Sequence, residues 1–459
     1  MEYYDIDVYE RRVTTASPDA QLWFNRGLVW TYAYFHDEAV ACFRRAIECD
    51  PDCAMAHWGV AYAAGPNYNM PWHRRDAKMR AATAETCHMA TTKALKLVAN
   101  VTPFERAMIE ALTARFPQPT PEDIETMRGW NDGYANAMRD VHETFPGDLD
   151  AACIFVEAIM NRTPWEMWDQ ATGAIAEGAG TSEAQTVLEK MLEYDEAWSH
   201  PGLLHLYVHL MEMSPTPEKA LKAGDALREL VPDAGHLMHM PTHIDVQCGY
   251  YRDVLHWNWK ATQVDRKALE NMGVHTLYTG YRIHNYHFAV YGAMFLGQYE
   301  PAMRLARELV AVTPEELLRV DSPPFATFFE SYFALWVHVM IRFGKWREII
   351  AEPLPEDRAL WANLTATLHY AKGVAHAALG EVREAEAAQV EFLLARDVMP
   401  EDRRLHNVLC LEQLAVAEAM LEGEIEYRKG NYDLAYRRLR DAVEIEDALP
   451  YDEPWGWMQ

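Results

Sequence analysis

Histidine is concentrated in the middle of this sequence. The chain has 19 histidines, and ten of them lie between residues 200 and 287: His200, His205, His209, His236, His239, His243, His256, His275, His284 and His287. Imidazole is a common ligand of transition metals, and it is also the side chain that exchanges protons near neutral pH. Clustering of this kind therefore indicates a metal site or a site of proton transfer.

The spacing of these histidines places several of them on one face of a helix. Side chains three or four residues apart lie above one another along an α-helix. A pair with this spacing can hold one metal ion, as in helices that carry two histidine ligands of zinc. Three segments have the spacing: His205, His209 and Glu212; His236, His239 and His243; and His284 and His287.

We expect these residues to bind a transition metal, with copper, iron or zinc as the ions that suit imidazole. Neighbouring helices lie about 8–10 Å apart, which lets imidazoles from two helices share one ion. The histidines exceed one coordination sphere, so either two metals bind or one metal is accompanied by histidines that transfer protons. The predicted metal ligands are His205, His209, His236, His239, His243, His284, His287, Glu157 and Glu212, the two carboxylates serving as ligands or as acceptors that hold the rings.

Two alternatives to a metal site stay open. The same histidines can form a metal-free pocket for a small polar or anionic ligand, or a structural network of hydrogen bonds. A single inward histidine on a helix is usually a packing residue. For that reason His57, His369 and His376, which fall on packed places of their repeats, are expected to have core roles.

Four further residues are predicted to bind the substrate. Asn67 and Asn69 belong to the segment GPNYNMPW, which interrupts a helix and can form a lip over the site, although its Gly, Pro and Asn also suit an ordinary turn. Asn161 follows Glu157 by one helical turn. His338 has the same place in its repeat as the inward histidines before it.

Helix–turn–helix repeats must position these residues. The N-terminal segment carries the markers of the tetratricopeptide pattern at Trp23, Gly27, Ala39, Phe43, Ala46 and Pro51. Small residues let paired helices approach, the aromatic ring fills the groove between them, and proline ends the second helix. The apolar residues recur at three and four positions, so no strands are expected. The same frame predicts repeats that begin near Ala54, Leu149, Pro201, Gly235, Ile283, Glu330, Ala366 and Val416.

The predicted fold is an all-α, tetratricopeptide-like α-solenoid. Each repeat buries its apolar face against its neighbours, which favours one superhelical domain over residues 1–459 with a concave channel lined by histidines. Its predicted parts are an N-terminal repeat at 20–64, a degenerate or inserted helical segment at 65–148, histidine-rich central repeats at 149–314 and C-terminal repeats at 330–459.

Composition restricts the class of partner. Lys and Arg number 42 against 69 Asp and Glu, and the net charge of −27 argues against nucleic acid and anionic membrane surfaces. The seven cysteines are scattered and never form C-x-x-C. The N-terminus has no basic-then-apolar signal segment, and no apolar run is long enough to span a bilayer. These features predict a cytoplasmic protein without a membrane span; the oligomeric state does not follow from them.

The recurrent segments GPNYNMPW, EAIMNRTPW, HLYVHLME and HLMHMPTHI resemble those of a bacterial histidine-rich family of tetratricopeptide-repeat proteins. The last of them, with HNYHFAVYGAMFLGQYEPAM, is also similar to segments of tetratricopeptide repeat protein 38. The resemblance implies the helical-repeat fold along the whole chain. It implies no particular activity and no particular metal.

Two functions are therefore predicted. The first is a metal-dependent enzyme that acts on a small molecule in the concave channel, by redox or hydrolytic chemistry, because an open site in a channel favours catalysis over a closed structural metal. The alternative is a non-catalytic scaffold whose concave groove binds a peptide or a partner protein. Metal content distinguishes the two.

Overall fold

The computed structural model describes residues 3–121 and 123–458. The chain divides into two compact units. Unit 1 runs to Gly249 and includes Lys260–Tyr278, and unit 2 comprises Tyr250–Trp259 and the chain from Thr279 onwards. Nearly all regular structure in the described chain is helical, so the predicted all-α fold is confirmed.

The described residues of unit 1 up to Gly249 form twelve α-helices. They are α1 (Pro18–Tyr32), α2 (His36–Cys49), α3 (Ala54–Ala64), α4 (Ala77–Leu95), α5 (Pro103–Arg115), α6 (Ile124–Thr144), α7 (Leu149–Met160), α8 (Thr181–Met191), α9 (Pro201–Met211), α10 (Leu221–Leu227), α11 (Gly235–His239) and α12 (Pro241–Gln247). Short 3₁₀ helices lie at Trp72–Arg74, Val98–Asn100, Asp195–Ser199 and Pro217–Ala220. Helix α13 (Tyr251–Met272) begins in unit 2 and ends in unit 1.

Unit 2 continues with α14 (Tyr278–Phe295), α15 (Tyr299–Val312), α16 (Glu315–Leu318), α17 (Phe325–Phe329), α18 (Leu335–Arg342), α19 (Trp346–Ala351), α20 (Ala362–Ala378), α21 (Val382–Asp397), α22 (Cys410–Lys429) and α23 (Tyr432–Asp447), with a 3₁₀ helix at Glu330–Ala334. The helices pack mainly in consecutive pairs. None of the described helices combines the length and the apolar character that crossing a bilayer requires.

The N-terminal helices pack around one aromatic ring, as the repeat markers predict. A Cβ atom on Gly27 would lie 2.7 Å from the Phe43 ring, and one on Gly59 would lie 2.4 Å from it. Phe43 is fully buried, so α1 and α3 meet the ring of α2 where only glycine fits. Ser17 caps α1 by accepting a hydrogen bond from the Ala20 amide. This packing is that of a tetratricopeptide repeat.

Glycine-containing turns join the paired helices. Gly249, Gly297, Gly380 and Gly430 all have a positive φ, between 70° and 83°, which glycine adopts without steric cost. Each lies between two helices that the repeat frame predicts. The predicted helix–turn–helix unit is therefore confirmed.

The repeat frame locates some helix starts better than others. Helices begin at Ala54, Leu149, Pro201 and Gly235, and a 3₁₀ helix begins at Glu330, as the frame has them. The three other predicted starts fall inside α14, α20 and α22, which begin earlier in the chain. The repeat markers are residues that pack between helices, not residues that cap them. The frame therefore does not predict additional turns at the N-terminal end of a helix.

The expectation that the chain has no strands is wrong at one point in unit 2. Arg404–Leu405 and Val408–Leu409 pair as a short antiparallel hairpin. Its turn includes His406, whose φ of 49° lies in the left-handed region that two-residue hairpin turns use. Strands of two residues are too short to give an alternating pattern, which is why the sequence does not reveal them.

Two glycine substitutions test the packing around Phe43. Gly59→Ala should lower the free energy of unfolding by about 1–3 kcal/mol, because the added methyl group overlaps a ring that cannot move away in a packed core. The matched control is Gly129→Ala in α6, where nothing lies within 4 Å of the new methyl group. This control should stabilise the protein by up to about 1 kcal/mol, as alanine favours helix over glycine. Urea unfolding of both variants measures the difference; equal effects would contradict the tight packing.

Candidate metal centre

Helix α9 carries two of the predicted ligands into the interior of unit 1. His200 caps its N-terminus, since its Nδ1 atom accepts a hydrogen bond of 3.1 Å from the Leu203 amide, and Pro201 is the first helical residue. Every residue from Pro201 to Met211 is buried. A helix that is apolar on all sides is a core helix, so His205 and His209 on α9 are core side chains.

The next predicted group is divided between two short helices. The sequence predicts His236, His239 and His243 on one helix, but the structure ends α11 at His239 and begins α12 at Pro241. The reason is Pro241, which lacks the amide hydrogen that a continuous helix needs at this point. The three rings still lie near one another, because the turn between the helices is a single residue.

Three histidines of unit 1 converge on one point. His205, His209 and His236 each offer a ring nitrogen, and these three atoms lie within 4.8 Å of one another. The ring centroids are separated by 4.7 Å for His205 and His209, 5.0 Å for His205 and His236, and 6.4 Å for His209 and His236. This arrangement, which we call the histidine triad, is suited to a metal ion that takes three nitrogen ligands.

The triad is buried and not exposed on an open surface. Each of its three side chains is about 1% exposed. The sequence predicts inward histidines along a concave channel, where rings would be wet. The difference arises because α9 is packed against other parts of the chain on every side, and the repeat spacing alone does not predict this burial.

Two acceptors fix the orientation of the α9 histidines. The Nδ1 atom of His205 lies 2.7 Å from the backbone carbonyl oxygen of Tyr32, and since a carbonyl only accepts, Nδ1 carries the hydrogen. The Nδ1 atom of His209 donates in the same way to Oε1 of Glu212 at 3.1 Å. In both rings the remaining nitrogen, Nε2, is therefore the one with a lone pair. Metal-binding histidines are held by acceptors of this kind.

Glu212 links the triad to a second histidine pair. Its other carboxylate oxygen, Oε2, lies 3.0 Å from Nδ1 of His243, and Nε2 of His243 lies 2.9 Å from Nε2 of His239. Two imidazole nitrogens at this distance share one hydrogen, so one of the pair donates and the other accepts. The predicted residues of α9, α11 and α12 thus form one connected network within unit 1.

Burial sets the charge state of this network. It lowers the pKa of His205 and of His236 well below the ordinary imidazole value, because the charged form loses its water and other histidines lie close by. Burial acts to raise the pKa of Glu212, but the charges and hydrogen bonds of His209 and His243 outweigh it and hold that pKa below its usual range. At neutral pH His205 and His236 are therefore neutral imidazoles, and Glu212 is a carboxylate.

Aromatic rings that the sequence analysis did not identify surround His209. The ring centroid of Tyr34 lies 5.7 Å away, that of Tyr68 lies 5.0 Å away and that of Trp165 lies 5.8 Å away. Tyr68 belongs to GPNYNMPW and Trp165 to MNRTPW, so both recurrent segments reach the centre. They do so through aromatic side chains, which are not among the site residues that the sequence predicts.

The two predicted asparagines of GPNYNMPW have the bonds of a turn. Oδ1 of Asn67 accepts from the amides of Asn69 and Met70, at 3.0 and 2.9 Å. An asparagine that bonds to its own following backbone fixes a turn, and this turn presents Tyr68 between the two asparagines. Substrate binding by Asn67 and Asn69 stays a prediction.

Glu157 lies beside the triad with a different partner. Its carboxyl group accepts a hydrogen bond from the Tyr62 hydroxyl, and together with His205 it lines a small cavity with room for about one water-sized sphere. Burial raises its pKa to about 8, although a hydrogen bond from Asn161 acts in the opposite direction. At pH 7 Glu157 is therefore a neutral carboxylic acid, a poorer metal ligand than a carboxylate.

The remaining predicted residues belong to unit 2. The ring of His284 stacks on that of His406 at 4.9 Å, and His287 lies against Tyr332 at 5.4 Å. Burial and nearby histidines lower the pKa of His287 to about 3, and burial lowers that of His338 to about 4. The His406 ring, which the sequence analysis did not single out, lies 2.5 Å from a carboxylate oxygen of Asp452. The roles of His284 and His287 as metal ligands, and of His338 in substrate binding, stay predictions.

Comparison with known proteins gives no family for the chain. No family model matches it, and no curated protein matches it. Similar solved structures include a monomeric mutant of IFIT1 with Gppp-AAAA (13% identity, 86% of this chain and 78% of that one, TM-score 0.35), the Cut9–Hcn1 hetero-tetramer of APC/C (13%, 92% and 76%, 0.29) and the TPR domain of P58(IPK) (14%, 93% and 98%, 0.18). At these TM-scores the fold assignment depends on the chain's own helix pairs, and similarity to tetratricopeptide repeat protein 38 stays a prediction.

The raised pKa of Glu157 predicts a pH dependence of stability. The folded protein keeps this proton up to a pKa of about 8, whereas the unfolded chain releases it near 4.5. The contribution of Glu157 to the free energy of unfolding is thus fully present below pH 4.5. It is lost as the pH rises to 8, and the loss is about 4 kcal/mol. In metal-free protein, the Glu157→Gln variant should not lose this stability between pH 5 and pH 8, because glutamine does not ionise.

Urea unfolding at pH 5, 6, 7 and 8 measures this difference between wild type and variant. The control is Glu143→Gln, at an exposed position of α6. It should leave the pH dependence of the wild type intact. A Glu157→Gln curve parallel to that of wild type across this range would show that the carboxyl group is ionised at neutral pH.

Proposed function

We propose that this protein binds one transition metal ion through His205, His209 and His236, and that it is a metal-dependent enzyme for a small molecule. The observation that carries the proposal is the convergence of three buried ring nitrogens within 4.8 Å. The orienting bonds from His205 to the Tyr32 carbonyl and from His209 to Glu212 support it. Histidines packed together for burial alone would not need acceptors that orient their rings towards one point.

Burial favours a metal over a purely structural network. The Nε2 atom of His205 is buried and has no hydrogen-bond partner among the described residues. An unpaired polar atom in the interior costs about 1–3 kcal/mol. A metal ion at the centre of the triad would use this lone pair, and it would also place a positive charge near the Glu212 carboxylate.

The ligand set restricts the metal and the type of site. Three imidazole ligands suit copper, iron or zinc, and they do not suit the hard ions magnesium and calcium. Three protein ligands also leave one tetrahedral position for water or substrate, which is the arrangement of catalytic sites. The carboxyl group of Glu157 lines the same small cavity as His205, and there it would exchange a proton with a small ligand.

A scaffold that binds a peptide or a partner protein is the second candidate. The observation that favours it is a set of exposed apolar side chains on the last helices of unit 2. Val390 and Leu394 of α21 are each 57% exposed, and Tyr432 and Tyr436 of α23 are 53% and 47% exposed. Apolar residues spaced by four on a helix form a continuous stripe, and such stripes commonly mark interaction surfaces.

Metal analysis of paired variants tests the primary proposal. Protein purified without an affinity tag should contain about one transition metal ion per chain. The double variant His205→Asn with His209→Asn should contain almost none. Asparagine places an amide N–H where the histidine Nδ1 was, so the bonds to Tyr32 and Glu212 can persist while Nε2 is lost. The fold should survive, at a cost of about 1–3 kcal/mol per site.

The matched control is His57→Gln, at another buried histidine. The Nε2 atom of His57 lies 2.9 Å from the carbonyl oxygen of Pro51, and the glutamine amide can reproduce this bond. The control should keep the full metal content. Wild-type protein without metal, and with no rise in melting temperature when copper, iron or zinc is added, would contradict the proposal and favour the scaffold.

A further inference from the structure

Tyr34 has a backbone conformation that this chain otherwise gives mainly to glycine. Its φ is 55°, in the left-handed region. It follows the C-terminal end of α1, where its amide donates to the Thr31 carbonyl at 3.1 Å and the Phe35 amide donates to the Trp30 carbonyl at 2.9 Å. These two bonds form a Schellman turn, whose left-handed residue is usually glycine.

The same pair of bonds ends four helices of unit 2. In each of those turns the left-handed residue is a glycine with a positive φ: Gly297, Gly344, Gly380 and Gly430. A residue with a Cβ atom is strained in this conformation, because Cβ approaches the neighbouring carbonyl oxygen. Glycine would thus make the turn at Tyr34 without strain. The tyrosine must be explained by what its side chain contacts.

The ring of Tyr34 lies among the three histidines of the triad. Its centroid is 4.5 Å from that of His205, and 5.7 Å from those of His209 and His236. Its plane is nearly parallel to those two rings, at 22° and 17°. Tyr34 is only 4% exposed, so the ring is enclosed with them. Offset stacking at this separation is favourable and resists rotation of the rings.

We propose that Tyr34 is a positioning residue of the metal centre, whose ring holds the imidazoles of His209 and His236 in the orientation that directs the triad at one ion. This inference rests on the proposed metal site. The Schellman turn directs the side chain into the triad, and the bond from His205 to the carbonyl of Tyr32 ties the same end of α1 to α9. Glycine at position 34 would keep the turn and leave two rings without this support.

Because the role is assigned to the ring, phenylalanine should perform it and leucine should not. The probe is cobalt(II), whose visible absorption reports the geometry of its ligands, with affinity measured by competition against a chelator. Tyr34→Phe should bind cobalt within about twofold of wild type. Tyr34→Leu should bind about 10–100-fold more weakly, the usual effect of removing a group that orients a metal ligand. Its cobalt spectrum should change as well.

The control is Phe35→Leu in the same turn. Phe35 packs its ring on Trp30 at 5.1 Å, the apolar contact that accompanies a Schellman turn. Its loss should lower the urea midpoint of the metal-free protein and leave the cobalt spectrum unchanged. A spectrum that changes in Tyr34→Leu but not in Phe35→Leu separates positioning of ligands from general packing.

Histidine ring resonances of the metal-free protein provide a test that does not need the metal. The stacked ring of Tyr34 shields the protons of His209 and His236, so these signals should shift in Tyr34→Leu and stay in place in Tyr34→Phe.

If both variants lose cobalt equally, the hydroxyl is the acting group and the proposal is wrong. It is also wrong if Tyr34→Leu leaves affinity and resonances unchanged. If wild type binds no metal but the resonances shift as expected, the proposed metal site fails, and Tyr34 holds only the two imidazoles of a metal-free cluster.

Discussion

Burial of imidazole is the constraint on which the rest of the centre depends. Loss of water disfavours the charged form of an imidazole ring, and each N–H of the ring must find an acceptor. In unit 1 the acceptors are the Tyr32 carbonyl for His205 and the Glu212 carboxylate for His209. Each acceptor selects the tautomer and so decides which nitrogen keeps the lone pair. These two bonds satisfy one nitrogen of each ring, which lets α9 carry two imidazoles into the interior, while Nε2 of His205 is left without a partner in the described part of the chain.

The sequence predicts the linear part of this arrangement and not the spatial part. Intervals of four and three are sufficient to place His205, His209 and Glu212 on one stripe, and the structure has them in contact along α9 and its end. The acceptor of His205 cannot be read in the same way. It is a backbone carbonyl 173 residues away in the chain. Every residue has such a carbonyl, so the residue type does not show which one acts as the acceptor. Burial of the stripe was missed for a related reason, because polar residues on a periodic face are ordinarily read as exposed.

Turn chemistry explains the other differences from the sequence analysis. Substrate binding by the asparagines of GPNYNMPW stays a prediction, but Asn67 also uses its Oδ1 for its own turn, and that turn brings the Tyr68 ring against His209. Pro241 divides one predicted helix into two. Tyr34 gives no periodic signal at all, and it becomes conspicuous only when its turn is set beside the glycine turns of unit 2. In all three cases the local backbone requirement, and not the hydrophobic period, decides which side chain faces the site.

His200 and His205 show how a proposed metal-binding histidine differs from a structural one. Both are buried on the same segment of chain. His200 uses both ring nitrogens within the protein, accepting from the Leu203 amide and facing an Asp150 carboxylate oxygen at 3.2 Å, so nothing is left for a ligand. His205 uses only Nδ1, and its Nε2 is buried beside two other imidazoles. Neither burial nor clustering separates these two residues. The two residues differ in the bonding of Nε2. A metal ion needs a nitrogen lone pair that points towards it and is not already engaged in a hydrogen bond.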